Sequence, residues 1–229
     1  MQAPTFFPYR GQQLWLSAER CTFWEEQRAL IVSDLHFGKT GHFRKSGIAV
    51  PQAVYQEDLQ RLLTQIQYFQ PGQLILLGDF FHSRENKELQ WFQKWRENFP
   101  DLAIQLVRGN HDILDPAGYQ QTGISITEQT LVMPPFQFTH DIGQDSSYAL
   151  SAGHYGMSGH IHPGIRIQGM GKQSLCLPCF YFGASYAVLP AFSRFTGVAA
   201  IEPNAGEHVF AIMPAHIGKK QPGGIIQIQ

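Results

Sequence analysis

The sequence is short of several things at once. It has three cysteines in 229 residues, and charged residues make up only 15%. Three cysteines cannot supply a disulfide framework. With a formal net charge of −1, there is no basic excess to hold a nucleic acid by bulk electrostatics. An anionic substrate must then be held by local charge or by metal ions. No apolar run reaches the roughly 18–20 residues that a membrane-spanning helix needs. Residues Met1 to Arg10 contain two prolines and lack the basic-then-apolar plan of a secretory leader. The expectation is a cytoplasmic protein with no membrane contact. Hydrophobic residues at 43% over this length fit one domain, 1–229, around one good-sized core. Cys176 and Cys179 have the spacing of a redox pair or half a zinc site. There is no second pair, however, and Pro178 interrupts them in an apolar run, so small buried residues are the better account.

What is present is an alternation. Leu14-Trp15-Leu16 and Cys21 to Trp24 are short β-rich runs, and Ala29 to Val32 is continuously apolar, as in a strand buried on both faces. From Pro51 the period changes: Tyr55, Leu59, Leu62, Leu63 and Ile66 share a helical face, stopped by Pro71-Gly72. Leu74 to Leu77 is a second buried strand. Leu89, Phe92, Trp95 and Phe99 mark a second helix, with Trp91 and Trp95 read as core, and Leu102 to Val107 is a third strand. This β-α-β-α-β order over 29–112 predicts parallel strands with helical crossovers. Ile124 to Thr139 alternates as short antiparallel strands do. Further short strands are predicted around 165–167, 174–177, 180–182, 187–189, 198–201 and 209–212. The tail 218–229 is expected to be mobile, with an edge strand through Ile225, Ile226 and Ile228 as the alternative.

Strand ends in an open α/β sheet are where side chains converge on a ligand. Five segments here end an apolar run in a turn carrying His, Asp or Asn. They bring Asp34 and His36, Asp79, Asn110 and His111, His140, and His160 and His162. His140 is preferred to His154, which reads as a strand residue, and His208 and His216 have no motif around them. Two carboxylates, an amide oxygen and several imidazoles without a thiolate suit Mn²⁺, with Fe or Zn²⁺ as alternatives. Two divalent ions outweigh two carboxylates, which gives a near-neutral protein a way to bind an anion.

The ordered set Asp34-x-His36, Gly78-Asp79, Gly109-Asn110-His111-Asp112, a lone His140 and Gly159-His160-x-His162 resembles the calcineurin-like metallophosphoesterases over residues 29–163. Asp34 to Lys39, His42-Phe43-Arg44, Gly78 to Ser83 and Leu189 to Gly197 are similar to the DNA-ligase-associated branch, known as DNA damage response endonucleases. The resemblance implies an α/β fold, a four-layer α-β-β-α sandwich of two mixed sheets flanked by helices. It implies one ion held by Asp34, His36, Asp79 and His162, a second held by Asp79, Asn110, His140 and His160, and His111 protonating the leaving oxygen. It also implies phosphodiester hydrolysis, in DNA, with a functional association with a DNA ligase and a helicase. A small nucleotide or pyrophosphate-linked substrate is the alternative. Substrate contacts are expected from Arg44, His82 and Arg84, and base stacking is open to Phe43, Phe80 and Phe81 where these are not core. In many relatives an Asp stands at the position of His82 and helps orient the catalytic His. Here His82 or Asp112 would take that task.

Overall fold

Three antiparallel strands, β1 (Thr5–Tyr9), β2 (Gln12–Ser17) and β3 (Cys21–Trp24), lead the chain into β4 (Ala29–Ser33). The computed structural model describes residues 2–37, 53–81, 86–143, 150–169, 173–214 and 223–229. After β4 come α1 (Ala53–Phe69), β5 (Gln73–Leu77), α2 (Asn86–Arg96), β6 (Ala103–Val107), α3 (Pro116–Gln121) and β7 (Ile124–Thr127). These strands form a seven-stranded sheet in the order β1 to β7, with β4, β5, β6 and β7 parallel. The parallel unit expected over 29–112 is therefore present. It extends one strand further, because β7 joins this sheet instead of pairing antiparallel with the strand after it.

The second sheet is built from β8 (Thr130–Met133), β9 (Phe136–Thr139), β10 (Tyr155–Ser158), β11 (Pro163–Gln168), β12 (Ser174–Phe182), β13 (Tyr186–Val188), β14 (Ala199–Ala200), β15 (His208–Met213) and β16 (Gly224–Gln227). It is mixed: β10 runs parallel to β9 and β13, while β12 runs antiparallel to β11 and β15. Two strands expected on either side of Pro178 are one strand, β12. Residues 224–227 are an edge strand on β15, which is the alternative reading of the tail.

Alternation along the central strands decides where the cores lie. Leu30, Val32, Leu74, Leu76, Ile104 and Leu106 face the helices, packing on Leu62 and Ile66 of α1, Phe92 and Trp95 of α2, and Tyr119 of α3. Their neighbours Ala29, Ile31, Ile75, Leu77 and Val107 face the second sheet, against Phe136, Phe138, Tyr155, Met157, Phe180 and Phe182. Side chains alternate across a strand, so a run buried on both faces must be apolar throughout. Burying each large side chain fully contributes roughly 1.5–3 kcal/mol. The architecture is α/β, two mixed sheets face to face with helices outside. Among the described residues the helices cover the first sheet, and the far face of the second carries a small cluster around Ile165, Leu177, Cys179, Val209 and Ala211.

Local chemistry accounts for the element ends. Gln70, at φ +47, turns the chain out of α1 before Pro71-Gly72. Helix α3 was not expected from periodicity. Its start is nevertheless written in Asp115-Pro116, where the Asp115 carboxylate accepts from the Gly118 N–H at 2.7 Å and Pro stands in the first turn. β1 was not expected from the sequence; it carries Pro8, which an edge strand tolerates. Trp95 is core as expected, whereas Trp91 lies at the surface. No helix among the described residues is long and apolar enough to cross a membrane.

Candidate metal centre

The five turns sit beyond the carboxyl ends of β4, β5, β6, β9 and β10, and backbone bonds lace them together. His36 N–H donates to the Asp79 carbonyl oxygen at 2.8 Å, and Phe37 N–H donates to that of Phe80 at 2.7 Å. His111 N–H donates to Asp79 Oδ1 at 3.0 Å. From the second sheet, His160 N–H donates to Asp34 Oδ2 at 2.9 Å, and Gly159 N–H donates to the His140 carbonyl at 3.1 Å.

Two donor groups result: Asp34, His36 and His162, and Asp79, His140 and His160, each with ligand atoms within 4.8 Å of one another. In the second group His140 Nδ1 lies 3.2 Å from the Leu77 carbonyl oxygen, so the ring proton belongs on Nδ1 and Nε2 presents a lone pair. That Nε2 faces Asn110 Oδ1 at 3.0 Å, His160 Nδ1 at 3.1 Å and Asp79 Oδ1 at 3.4 Å. His160 Nε2 points toward Asp141 Oδ2 at 3.6 Å, which favours the proton there and leaves Nδ1 bare. With those tautomers lone pairs converge on one point, an arrangement that a cation would satisfy. The first group shows the same need. His36 Nε2 and His162 Nε2 are 3.4 Å apart, and the buried Asp34 Oδ1 has no hydrogen-bond donor, a costly state unless a cation serves it. Burial works to raise the Asp34 pKa, but the pull of His162, His140 and the Ser33 hydroxyl outweighs it and holds the carboxyl below its usual range. Nitrogen and carboxylate donors without thiolate fit borderline divalent ions.

Backbone conformation points to the same residues. Asp34, His36, Asp79, His160 and His162 all have φ between +48 and +65. Non-glycine residues in this left-handed region cost of order 1 kcal/mol or more each and cluster where function holds them. Two glycines make room for the turns. A Cβ on Gly109 would overlap the backbone nitrogen and carboxylate of Asp79, and one on Gly159 would overlap the Ser33 hydroxyl and Asp34 carboxylate. Gly109 does not owe its place to a special turn conformation. Its backbone is not left-handed, so its contribution is close approach.

Asp112 does not turn toward the His111 ring. It is 2% exposed, and its Oδ1 accepts from Phe80 N–H at 2.9 Å and Phe81 N–H at 3.0 Å, while Oδ2 accepts from Gly109 N–H at 2.8 Å. Burial pushes the Asp112 carboxyl up, and those amides pull it back only in part. Asp112 thus joins the Asp79 turn to the Asn110–His111 turn. His111 stands at the rim, its side chain 51% exposed, with Nε2 4.0 Å from Asp79 Oδ2.

Other expectations sort plainly. His154 lies apart, with Nδ1 3.3 Å from the Ala152 carbonyl oxygen. His208 packs on Phe7 and Tyr9. Phe80 and Phe81 are both buried core, so neither stacks a base. Arg44, His82, Arg84, Phe43 and His216 lie outside the described residues. Cys176 and Cys179 are free thiols within one strand, β12, and Cys179 is buried, its pKa pushed up to about 12 by loss of solvent and the nearby Cys176, which disfavours a reactive thiolate there. Sequence reasoning missed Ser33 and Asp141. The signal for Asp141 was available: His140-Asp141 repeats the His111-Asp112 dipeptide.

A family model described as calcineurin-like phosphoesterase matches residues 27–174. Among solved structures, the nuclease MPE of Pseudomonas putida is similar at 30% identity, with a TM-score of 0.76, covering 91% of this chain and 96% of that one. Yfce, a phosphoesterase from E. coli, aligns at 17% identity with a TM-score of 0.43, over 87% of this chain and 97% of that one. No curated protein matches. With that family match over most of the chain, on top of two donor groups fit for divalent ions, the chain belongs to the calcineurin-like phosphoesterases and is a metal-dependent hydrolase.

Proposed function

We propose that this protein is a two-metal phosphodiesterase that cleaves DNA in a repair setting. The observation that carries the two-metal reading is the pair of adjacent donor groups, with the ring nitrogens of His36 and His162 3.4 Å apart in one and those of His140 and His160 3.1 Å apart in the other. Asp34, His36 and His162 would hold one ion and Asp79, Asn110, His140 and His160 the other, with Asp79 also available to the first. Bound ions supply Lewis acidity toward phosphoryl oxygens and lower the pKa of water. The chain's own residues do the rest. Asp141 holds the His160 ring in the tautomer that presents Nδ1, and the Leu77 carbonyl does the same for His140 Nε2. His111, exposed at the rim beside Asp79, gives its ring proton to the departing oxygen. Mn²⁺ is the preferred ion, with Fe or Zn²⁺ as alternatives.

The DNA reading rests on similarity to a nuclease along nearly the whole of both chains, together with the branch motifs in the sequence. Arg44, His82 and Arg84 are its proposed substrate contacts, and work alongside a DNA ligase and a helicase is its proposed setting. One experiment tests both levels: Mn²⁺-loaded protein is given bis-p-nitrophenyl phosphate, single-stranded DNA and plasmid DNA. Cleavage of all or of the ester and one DNA form is expected. Ester hydrolysis with intact DNA in both forms would refute the nuclease reading and point to a small nucleotide or pyrophosphate-linked substrate.

A further inference from the structure

The segment Leu189 to Gly197 has no side chain in either donor group, yet it lies directly behind Asp34. It leaves β13 in the second sheet and crosses to the first. There Ala191 bridges Ser33 in parallel register. Phe192 N–H donates to the Ser33 carbonyl at 2.7 Å, and Ser193 N–H donates to the Asp34 carbonyl at 3.3 Å. The main chain at Asp34, held at φ +51, is paired by this strap.

Two arginines grip the strap from its other side. Arg20 Nη1 donates to the carbonyl oxygens of Ala191 at 3.2 Å and Ser193 at 2.9 Å. Arg61 of α1 donates from Nη1 to the Phe192 carbonyl at 3.0 Å, and its guanidinium lies 4.3 Å from the centre of the Phe192 ring. Successive carbonyls at 191, 192 and 193 are all taken by guanidinium groups. Arg61 is itself fixed: Nη1 donates to Asp58 Oδ1 at 2.6 Å, Nε to Glu19 Oε2 at 2.7 Å and Nη2 to the Glu19 carbonyl at 2.7 Å. Its side chain is only 10% exposed. Buried ion pairs contribute little net stability compared with apolar packing, because desolvation offsets their attraction. What such a network does supply is geometry, since the planar guanidinium fork accepts few arrangements.

We infer that Arg61 is a positioning residue for the Asp34 metal group: anchored by Asp58 and Glu19, it fixes the 191–193 strap, whose amides fix the main chain at Ser33 and Asp34 and so aim the Asp34 carboxylate. This rests on the metal reading of Asp34, His36 and His162. The test is calorimetric titration of Mn²⁺ into wild type, Arg61→Met and Arg20→Met, with circular dichroism to establish folding and electron paramagnetic resonance to separate coupled from isolated Mn²⁺. Wild type should bind two coupled ions. Arg61→Met should keep one at unchanged affinity and bind the other about tenfold or more weakly, the size seen when partners behind a ligand are lost. The spin coupling should vanish at limiting Mn²⁺, and Arg61→Lys should restore it only in part. Two coupled ions at wild-type affinity in folded Arg61→Met, or in folded Arg20→Met should the first not fold, overturn the inference and leave the metal reading standing. A wild type that binds fewer than two ions overturns both. Amide exchange needs no variant: by reciprocity Mn²⁺ should slow exchange at Phe192 and Ser193 more than at Ile226 in the β15–β16 hairpin, and equal slowing refutes the inference.

Discussion

The Asp79 group and the Asp34 group bring similar donors together by different means. The Asp79 group is held from within its own motifs. Asp112, two residues after Asn110, takes the amides of the Asp79 turn and of its own turn on one carboxylate. The Asp34 group is held from a distance, by a strap near residue 192 and by arginines at 20 and 61. The first arrangement is compact in sequence; the second is assembled only by the fold. The donors themselves belong to both sheets in each group, so neither group exists until the sheets have packed.

That contrast can be broken or sharpened by substitution. The largest effect should come from Asp79→Ala, which removes the ligand proposed to serve both ions. Bound metal, measured by inductively coupled plasma mass spectrometry, should fall away at both positions and hydrolysis should drop to background. An active, metal-loaded variant would sink the two-metal mechanism. His111→Asn should leave both ions in place, because the bond to Asp79 Oδ1 uses the His111 backbone. It should lower kcat on DNA by about 10²–10⁴-fold, the usual worth of a positioned proton donor, but hardly affect a nitrophenyl ester, whose leaving group needs no proton. Equal losses on both substrates would remove the protonation role.

Smaller effects distinguish the two means of support. Asp112→Asn puts an NH₂ opposite a backbone N–H, leaving a buried donor unsatisfied at about 1–3 kcal/mol. It should weaken the Asp79 group by roughly 10–100-fold in Mn²⁺ affinity and spare the Asp34 group. Ser33→Ala removes the hydroxyl that donates to Asp34 Oδ2. It should weaken only the Asp34 group, by about tenfold or less, in keeping with a net worth of ~0.5–1.5 kcal/mol for one hydrogen bond. Calorimetric titration separates the two outcomes, and the comparison fails if each variant weakens both groups equally.

Much of this was legible before any coordinates. Strands β4, β5 and β6 were visible because burial on both faces demands unbroken apolar runs, and the donors were visible because each comes after such a run in a short turn. Asp112 was singled out, but for a bond to the His111 ring; a sequence cannot tell whether a carboxylate beside a histidine faces the ring or the backbone. The supports of Asp34 were not legible. Nothing local in the sequence announces that Arg20, Glu19, Asp58 and Arg61 meet around residues 191–193. β7 was read as one of a run of antiparallel strands, yet it runs parallel to β6, for a related reason: alternation reports a half-buried strand without naming its partner.

The left-handed backbone at Asp34, His36, Asp79, His160 and His162 has a consequence for redesign. Asn, Asp and His are the non-glycine residues most at ease in that conformation, and they are also oxygen and imidazole donors. The turns therefore filter chemistry before any ion arrives. A cysteine or glutamate placed there to recruit a different metal meets a backbone penalty first, so retuning metal preference should succeed more readily at Asn110 and His140, which are free of that conformation, than at the five positions that share it.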